Sequence, residues 1–318
     1  MKLGLVINPG SERNKRGLAQ FDAAAGQGDI LAVYLEDVAE LPGILAEFAR
    51  KEVGAIVVAA GDGTVQATLT QLFTTRPFET PPPLGILPRG MTNLDAGDVG
   101  GLRGTPAQAL GRLLGLLREG GLESHLETRH VLRLDNLADD HPPQWGMFLG
   151  VAGMVRGTRF CLDKVHGSGL KHQWATTATL IGLLAGRLFG KNPEVFEGRE
   201  VSIGLDNAPP DIRRRTLVIA TTLDRLILGS RPFWNLGSGP VRYSSIADPP
   251  RGLLRHACRV LYGGDQRKLP PETYESRSCH RLEIGTDEEV VLDGQFYPVT
   301  PGKPLVVTAE DKLRFVRA

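Results

Sequence analysis

The sequence is short of several things, and each shortage excludes a class of protein. Its 318 residues include three cysteines, Cys161, Cys258 and Cys279, far apart and with no Cys-x-x-Cys pair. That sets aside a disulfide framework, and reduced thiols in a cytosolic protein are expected. Neither sign of charge is in excess: 37 basic residues against 36 acidic give a net charge of +1. A nucleic-acid partner asks for a basic surface and is not expected. A bilayer span needs about 20 apolar residues in a row. The most apolar stretch, Trp174 to Phe189, is shorter and contains Arg187. The opening MKLGLVINPG lacks a signal-peptide core because Asn8 and Pro9 interrupt it, so a cytoplasmic location is expected. The seven histidines never pair at His-x-x-x-His spacing, which leaves metal binding by histidine little support. No internal repeat and no long low-complexity tract occurs.

What is present is enough apolar residue, 41%, for real cores, in a chain long enough for about two domains. The first third alternates. Apolar runs at 3–7, 30–35, 55–60 and 83–88 read as buried strands, and amphipathic patterns at 40–52, 65–73 and 105–119 read as helices. Continuous apolar strands between helices predict a doubly wound parallel sheet. Beyond residue 119 the texture changes. Strand-like runs at 130–135, 145–153, 216–222, 281–285, 289–295 and 304–310 follow one another between turn residues, with one helical insertion near 172–190. The fold class expected is therefore α/β: an N-terminal doubly wound parallel-sheet domain over 1–125, then a mostly antiparallel β-sandwich-like domain over 126–318.

Three glycine-bearing corners fall where strands of the first domain end: INPGSERNKRG (7–17), AGDGT (60–64) and LPRGMTN (87–93). In a parallel sheet all three lie along one rim, where ligands bind. Glycines let backbone N–H groups approach an anion, and a helix beginning at Val65 would present its positive end. Asp62 would repel a phosphate there unless a bound Mg²⁺ lay between them. Thr64 has two readings, helix cap or phosphate ligand. On its own, Asp62-Gly63 reads equally well as a tight turn. The three corners together favour a nucleotide.

With these residues in view, the sequence resembles the diacylglycerol kinase catalytic family, which includes bacterial lipid kinases and sphingosine kinases. Gly61-Asp62-Gly63-Thr64, Asn8-Pro9 and Leu84-Gly85-Ile86-Leu87-Pro88 with Gly90 and Asn93 carry the resemblance. FLGVAGMV (148–155), NLGSGPVRYSSIADP (235–249) and VLDGQFYPVTPGKPLVV (291–307) extend it over nearly the whole chain. The resemblance implies an ATP- and Mg²⁺-dependent kinase that phosphorylates the hydroxyl of a diacylglycerol-type or sphingoid lipid. It would meet this substrate at the membrane surface, peripheral to the inner membrane. Asn8, Ser11, Ala60, Gly61, Asp62, Gly63, Thr64, Gly90, Thr92 and Asn93 would hold the nucleotide, Asp62 would hold the metal, and Asp62, Asp293 and Gln295 would serve catalysis. The lipid would enter from the second domain, 126–318.

Departures from the family pattern raise a second reading. Ala60 replaces a glycine, and Met91 replaces a threonine that Thr92 alone could stand in for. Gln295 stands where the family's proposed base is a glutamate, and a glutamine amide takes no proton at neutral pH. Asp293 could act in its place, directly or through water. The family's acidic, structural-magnesium loop is here Pro250-Arg251-Gly252-Leu253-Leu254-Arg255, and arginine cannot ligate Mg²⁺. Arg251 and Arg255 read either as solvated surface or as an anion-binding pair. The resemblance predicts a strand in this piece; were it helical, Arg251, Arg255 and Arg259 would share a face. A catalytically degenerate member that binds nucleotide or lipid without turnover is therefore one alternative, and an NAD kinase is another. Arg213-Arg214-Arg215 reads as a turn before a strand or as a contact to acidic lipid. The 174–189 segment reads as a core helix or as the wall of an acyl groove.

Overall fold

Continuous apolar runs in the first third can be buried only between two layers, and they are. The structure, a computed structural model, describes residues 2–22, 26, 28–90, 93–138, 141–168, 197–206 and 208–317. The expected insertion at 172–190 and its apolar segment 174–189, together with Met91 and Thr92, lie outside the described residues. The chain divides into two units, residues 1–131 with 312–318, and residues 132–311.

The first unit is built on a six-stranded sheet in the order β2 (Ile30–Tyr34), β1 (Lys2–Ile7), β3 (Val53–Ala60), β4 (Leu84–Pro88), β17 (Lys312–Val316), β5 (Leu126–His130). All neighbours run parallel except β17 and β5. The last strand therefore belongs to this sheet, although the sequence reading put it in the 126–318 domain. Helix α4 (Pro106–Glu119) lays Ala109, Leu110, Leu113, Leu114 and Leu117 on Leu3, Leu5, Ile7, Val57 and Ala59. Each buried leucine of this kind contributes about 1.5–3 kcal/mol. A full capping box of Thr105 and Gln108 starts the helix, with Pro106 in its first turn, and left-handed Gly120 stops it. On the other face, α1 (Leu41–Arg50) turns Phe48 onto Gly4, where a Cβ would meet the ring at 2.7 Å.

The second unit is an antiparallel sheet of eleven strands: β6 (Leu132–Asp135), β7 (Gln144–Gly146), β8 (Phe148–Ala152), β9 (Arg199–Leu205), β10 (Asp211–Thr221), β11 (Val241–Ala247), β12 (Tyr274–Cys279), β13 (Arg281–Gly285), β14 (Val290–Leu292), β15 (Gln295–Tyr297) and β16 (Leu305–Thr308). Strand β10 is the branch point. Its second half pairs with β8 and its first half with β9 along one edge, while β11 takes the other edge. Among the described residues two α-helices decorate the sheet, α5 (Gly153–Ser168) and α6 (Leu253–Tyr262).

Two expectations in this unit are corrected. Arg213-Arg214-Arg215 is no turn but part of β10. Arg215 is fully buried, its guanidinium donating to the carbonyls of Val201 and Asp211 and to the Asp211 carboxylate. The piece after Arg251 is a helix, not a strand, because Leu253 and Val260 recur at helical spacing and pack with Trp234 and Tyr274. Both cysteines with described side chains, Cys258 and Cys279, are free thiols. Among the described residues no helix is long and apolar enough to cross a membrane.

Candidate functional site

Strand order 2-1-3-4 reverses direction between β1 and β3, and open parallel sheets bind ligands beyond the carboxyl ends of their strands at such a point. The three glycine corners leave the carboxyl ends of β1, β3 and β4, so the structure brings them together.

Backbone bonds stitch them. Asn8 N–H donates to Ala59 O at 3.3 Å, Arg89 N–H to Ala60 O at 2.9 Å, and Arg13 N–H to Arg89 O at 3.0 Å. Asn14, fully buried, donates its amide to both Asn8 O and Ala59 O at 2.8 Å. Each such bond contributes about 1 kcal/mol, so the first corner is held to the second by side chain as well as backbone. Asn8 itself donates to Thr64 Oγ1 at 2.8 Å and accepts from Gly10 N–H at 2.8 Å. Ser11 closes the first corner by donating its N–H to Asn8 O at 3.2 Å. Ala60, buried, ends β3 opposite Pro88.

Gly61 and Gly90 meet backbone to backbone. A Cβ on Gly90 would lie 2.5 Å from Gly61 Cα, and one on Gly61 would lie 3.0 Å from Gly90 Cα. The meeting of the second and third corners thus demands glycine at position 90 and leaves little room for a side chain at 61. Asn93 locks the third corner: its Oδ1 accepts Gly90 N–H at 2.8 Å and its Nδ2 donates to Gly90 O at 2.9 Å. It does so from the left-handed region, φ 50°, which asparagine tolerates better than most residues.

Helix α2 (Asp62–Thr74) starts three residues earlier than the apolar pattern predicts, so Asp62, Gly63 and Thr64 are its first turn. Thr64 is not the cap; that position is Gly61, which has no side chain to fill it. The first N–H groups of a helix have no partner within it, so those of Asp62 and Gly63 are suited to an anion. The Asp62 carboxylate turns to the start of helix α3 (Leu94–Val99). Its Oδ2 accepts Leu94 N–H at 3.0 Å, and the Asp95 and Asn93 N–H groups also donate to it. Burial pushes its pKa up to about 6, against the lowering pull of those three donors. Among the described residues no cluster of three His, Cys, Asp or Glu side chains could hold a metal ion.

Arg13 and Arg89 belong to the same rim, and motif reading passed over them. Arg13 donates from Nη1 to Pro88 O at 3.4 Å. Arg89 stacks over Phe21, 5.4 Å from the ring centre. Burial, then the neighbouring charge of Arg13, lowers the Arg89 pKa. Two like charges brought to one rim make a place suited to an anion. Their signal in the sequence was position alone, one in each of two corners.

Asp293 and Gln295 belong to the other unit. Asp293-Gly294 forms the two-residue turn between β14 and β15, with φ 46° and 85°, the pattern of a type I′ hairpin. The buried Asp293 carboxylate accepts Met147 N–H and Phe148 N–H, each at 2.8 Å, and so ties the hairpin to β8. Gly146 makes room for it, since a Cβ there would collide with that carboxylate and with Leu292. Gln295 is exposed at the start of β15.

Residues 2–121 match the family model described as the diacylglycerol kinase catalytic domain. The N-terminal unit belongs to that family. Around this kinase-family domain the likeness runs the full length of the chain. A candidate diacylglycerol kinase from Bacillus anthracis strain Sterne has a structure similar to it with a TM-score of 0.67 at 18% identity, over 100% of this chain and 97% of that one. A diacylglycerol kinase structure from the same organism gives a TM-score of 0.60 at 16% identity over the same shares of the two chains. At such identities the likeness establishes the fold alone. No curated protein matches the chain.

Proposed function

We propose that the protein is a lipid kinase that transfers the γ-phosphoryl group of ATP to the hydroxyl of a diacylglycerol-type or sphingoid lipid. The observation that carries this is the rim: three corners at the ends of β1, β3 and β4, joined by the Gly61–Gly90 contact, with Arg13 and Arg89 beside them. Phosphoryl transfer asks chiefly for positioning and charge neutralisation. The N–H groups of Asp62 and Gly63 and the two guanidiniums would hold the nucleotide phosphates. Asn8, Ser11, Ala60, Gly61, Thr64, Gly90, Thr92 and Asn93 would shape the pocket around them. Asp62 would supply the carboxylate for Mg²⁺, since such an ion is bound by one or two carboxylates plus substrate phosphates. When bound, the ion would neutralise phosphate charge. The carboxylate's repulsion of a phosphate is further eased because three N–H groups already face it. The second domain would receive the lipid, and the protein would work at the inner membrane surface from the cytoplasm.

The test is incubation with mixed lipids, Mg²⁺ and labelled ATP. Labelled lipid is expected; label on added NAD instead, or on nothing, defeats the reading.

A second reading has its own observation. Asp293 spends both carboxylate oxygens on backbone N–H groups, and Gln295 offers an amide where a base is wanted. This supports a member that binds nucleotide or lipid without turnover. Loss of a general base costs about 10²–10⁴-fold. Turnover rising by such a factor in Gln295→Glu favours the second reading, and robust wild-type turnover ends it.

A further inference from the structure

Helix α6 is held to its unit by one narrow stripe. Leu253 and Val260 pack with Trp234 and Tyr274, and Tyr274 Oη donates to Arg251 O at 2.9 Å. The C-terminal end is fixed by Arg267, whose guanidinium donates to the carbonyls of Arg259 and Val260, and by Arg231 N–H, which donates to Leu261 O at 2.7 Å. The opposite side of the helix is exposed. There Leu254, Cys258 and Tyr262 follow at i, i+4 and i+8, and Leu254 and Tyr262 are 55% and 54% exposed. Arg255 and Arg259 form the adjacent line, also exposed, and Arg251 precedes them. The apolar line is about 12 Å long and the Arg255–Arg259 line about 6 Å.

These exposed apolar side chains are edged by cations. From residue 249 to residue 264 the chain contains no acid. Among the described residues no carboxylate pairs with Arg251, Arg255 or Arg259; Arg259 Nη1 donates to Lys268 O at 3.4 Å. Leu228, 56% exposed, lies in the loop that Arg231 ties to the end of the helix. The one acid just beyond is Asp265, whose carbonyl is taken up by Asn235 N–H.

We propose that this face of α6 docks the protein on an anionic bilayer, with Leu254 and Tyr262 entering the interface and Arg255 and Arg259 taking lipid phosphates. An apolar line beside a cationic line, with the charge of one sign only, is the pattern of a helix lying in a membrane interface. The choice of a bilayer over a protein partner rests on the lipid-substrate reading above. The site belongs to the second unit and is tested without turnover.

Sedimentation with vesicles of phosphatidylcholine alone, and of phosphatidylcholine with phosphatidylglycerol, reads it directly. The wild type is expected to pellet with the anionic vesicles and to be released by salt. Arg255→Gln and Arg259→Gln should each weaken binding roughly fivefold. Leu254→Asp with Tyr262→Asp should remove it, while Ile212→Asp, at an exposed position on β10, should not. Leu254→Ser is the milder variant should the aspartates unfold the helix, with thermal unfolding as the guard. A wild type that ignores anionic vesicles overturns the proposal, as do arginine variants that bind equally well. So does a result in which the same substitutions abolish self-association in solution instead. Phosphorylation of a detergent-dispersed short-chain lipid should be unchanged in all of them. Docking without any phosphorylation would defeat the kinase reading and leave the docking face intact.

Discussion

The chain contains two buried or half-buried Asp-Gly corners, and they do opposite things with the same dipeptide. Asp62-Gly63 opens a helix, and its carboxylate reaches across to the N–H groups that open another, α3. Asp293-Gly294 closes a hairpin, and its carboxylate reaches back to the N–H groups of Met147 and Phe148. In both, an aspartate serves as glue for backbone donors. The difference lies in what is left over. At Asp62 the helix start beneath it keeps N–H groups of its own, and Arg13 and Arg89 stand by. At Asp293 both oxygens accept backbone N–H groups, and Gln295 beyond the turn is neutral. One corner is equipped to receive an anion; the other is equipped to hold a sheet together.

The comparison breaks most visibly at Asp293. Asp293→Ala leaves two backbone donors in the interior without acceptors, each costing about 1–3 kcal/mol. Denaturant unfolding should show a loss of at least that for one donor, whereas Asp293→Asn should recover part of it. If the alanine variant unfolds like the wild type, the hairpin corner is not structural and its aspartate is open for chemistry after all.

At Asp62 the sign of the effect reverses with pH. Its folded pKa is raised to about 6 from 3.8, so the charged form is the disfavoured one. Below the lower value both folded and unfolded chains hold the proton, and the shift costs nothing. As pH rises toward 6 the unfolded chain ionises first, and stability is lost until the folded group has ionised too. Asp62→Asn removes this loss while keeping an acceptor for Leu94 N–H. Its melting temperature relative to wild type should climb by a few degrees, on the order given for 1 kcal/mol in a chain of this size, between pH 4 and pH 7. Activity should move the other way, falling roughly 100-fold or more at every pH. An unchanged difference in melting temperature across that range would mean the carboxylate is not desolvated.

The smallest expected effect is at the arginines. Arg89→Gln should raise the KM for ATP about tenfold and leave kcat within a few-fold, with Arg13→Gln weaker because Arg13 is the more exposed of the two. Equal KM values in all three proteins would separate these side chains from nucleotide binding.

Much of the first unit was legible because its strands are buried on both faces and its helices are amphipathic, so period and punctuation agree. The second unit was harder. Strand β11, VRYSSIA, buries Tyr243, Ser244 and Ser245 side by side, and β12, YESRSC, buries Ser276. Polar residues inside erase the alternation that identifies a strand. Arg215 misled for the same reason, a charge in the interior held by carbonyls that no sequence pattern announces. In α6 the chemistry of a resembled loop outweighed a helical spacing that was present in the residues. At the rim, the glycines were legible but their immediate cause was not: Gly61 and Gly90 are 29 residues apart, and only the fold brings one against the other.

Strand β17 carries a consequence for how the molecule is made. Phe315 lies beside Leu84 of β4, and Leu313 and Val316 lie beside Arg129 and Leu126 of β5. A ribosome that has delivered residues 1–131 has produced the three corners of the rim but not the strand that joins β4 to β5. Synthesis of the whole second unit must intervene before that gap is filled. Expressed alone, the N-terminal segment would carry an open sheet edge and should aggregate, while a version with residues 312–317 joined behind His130 through a short linker should remain in solution.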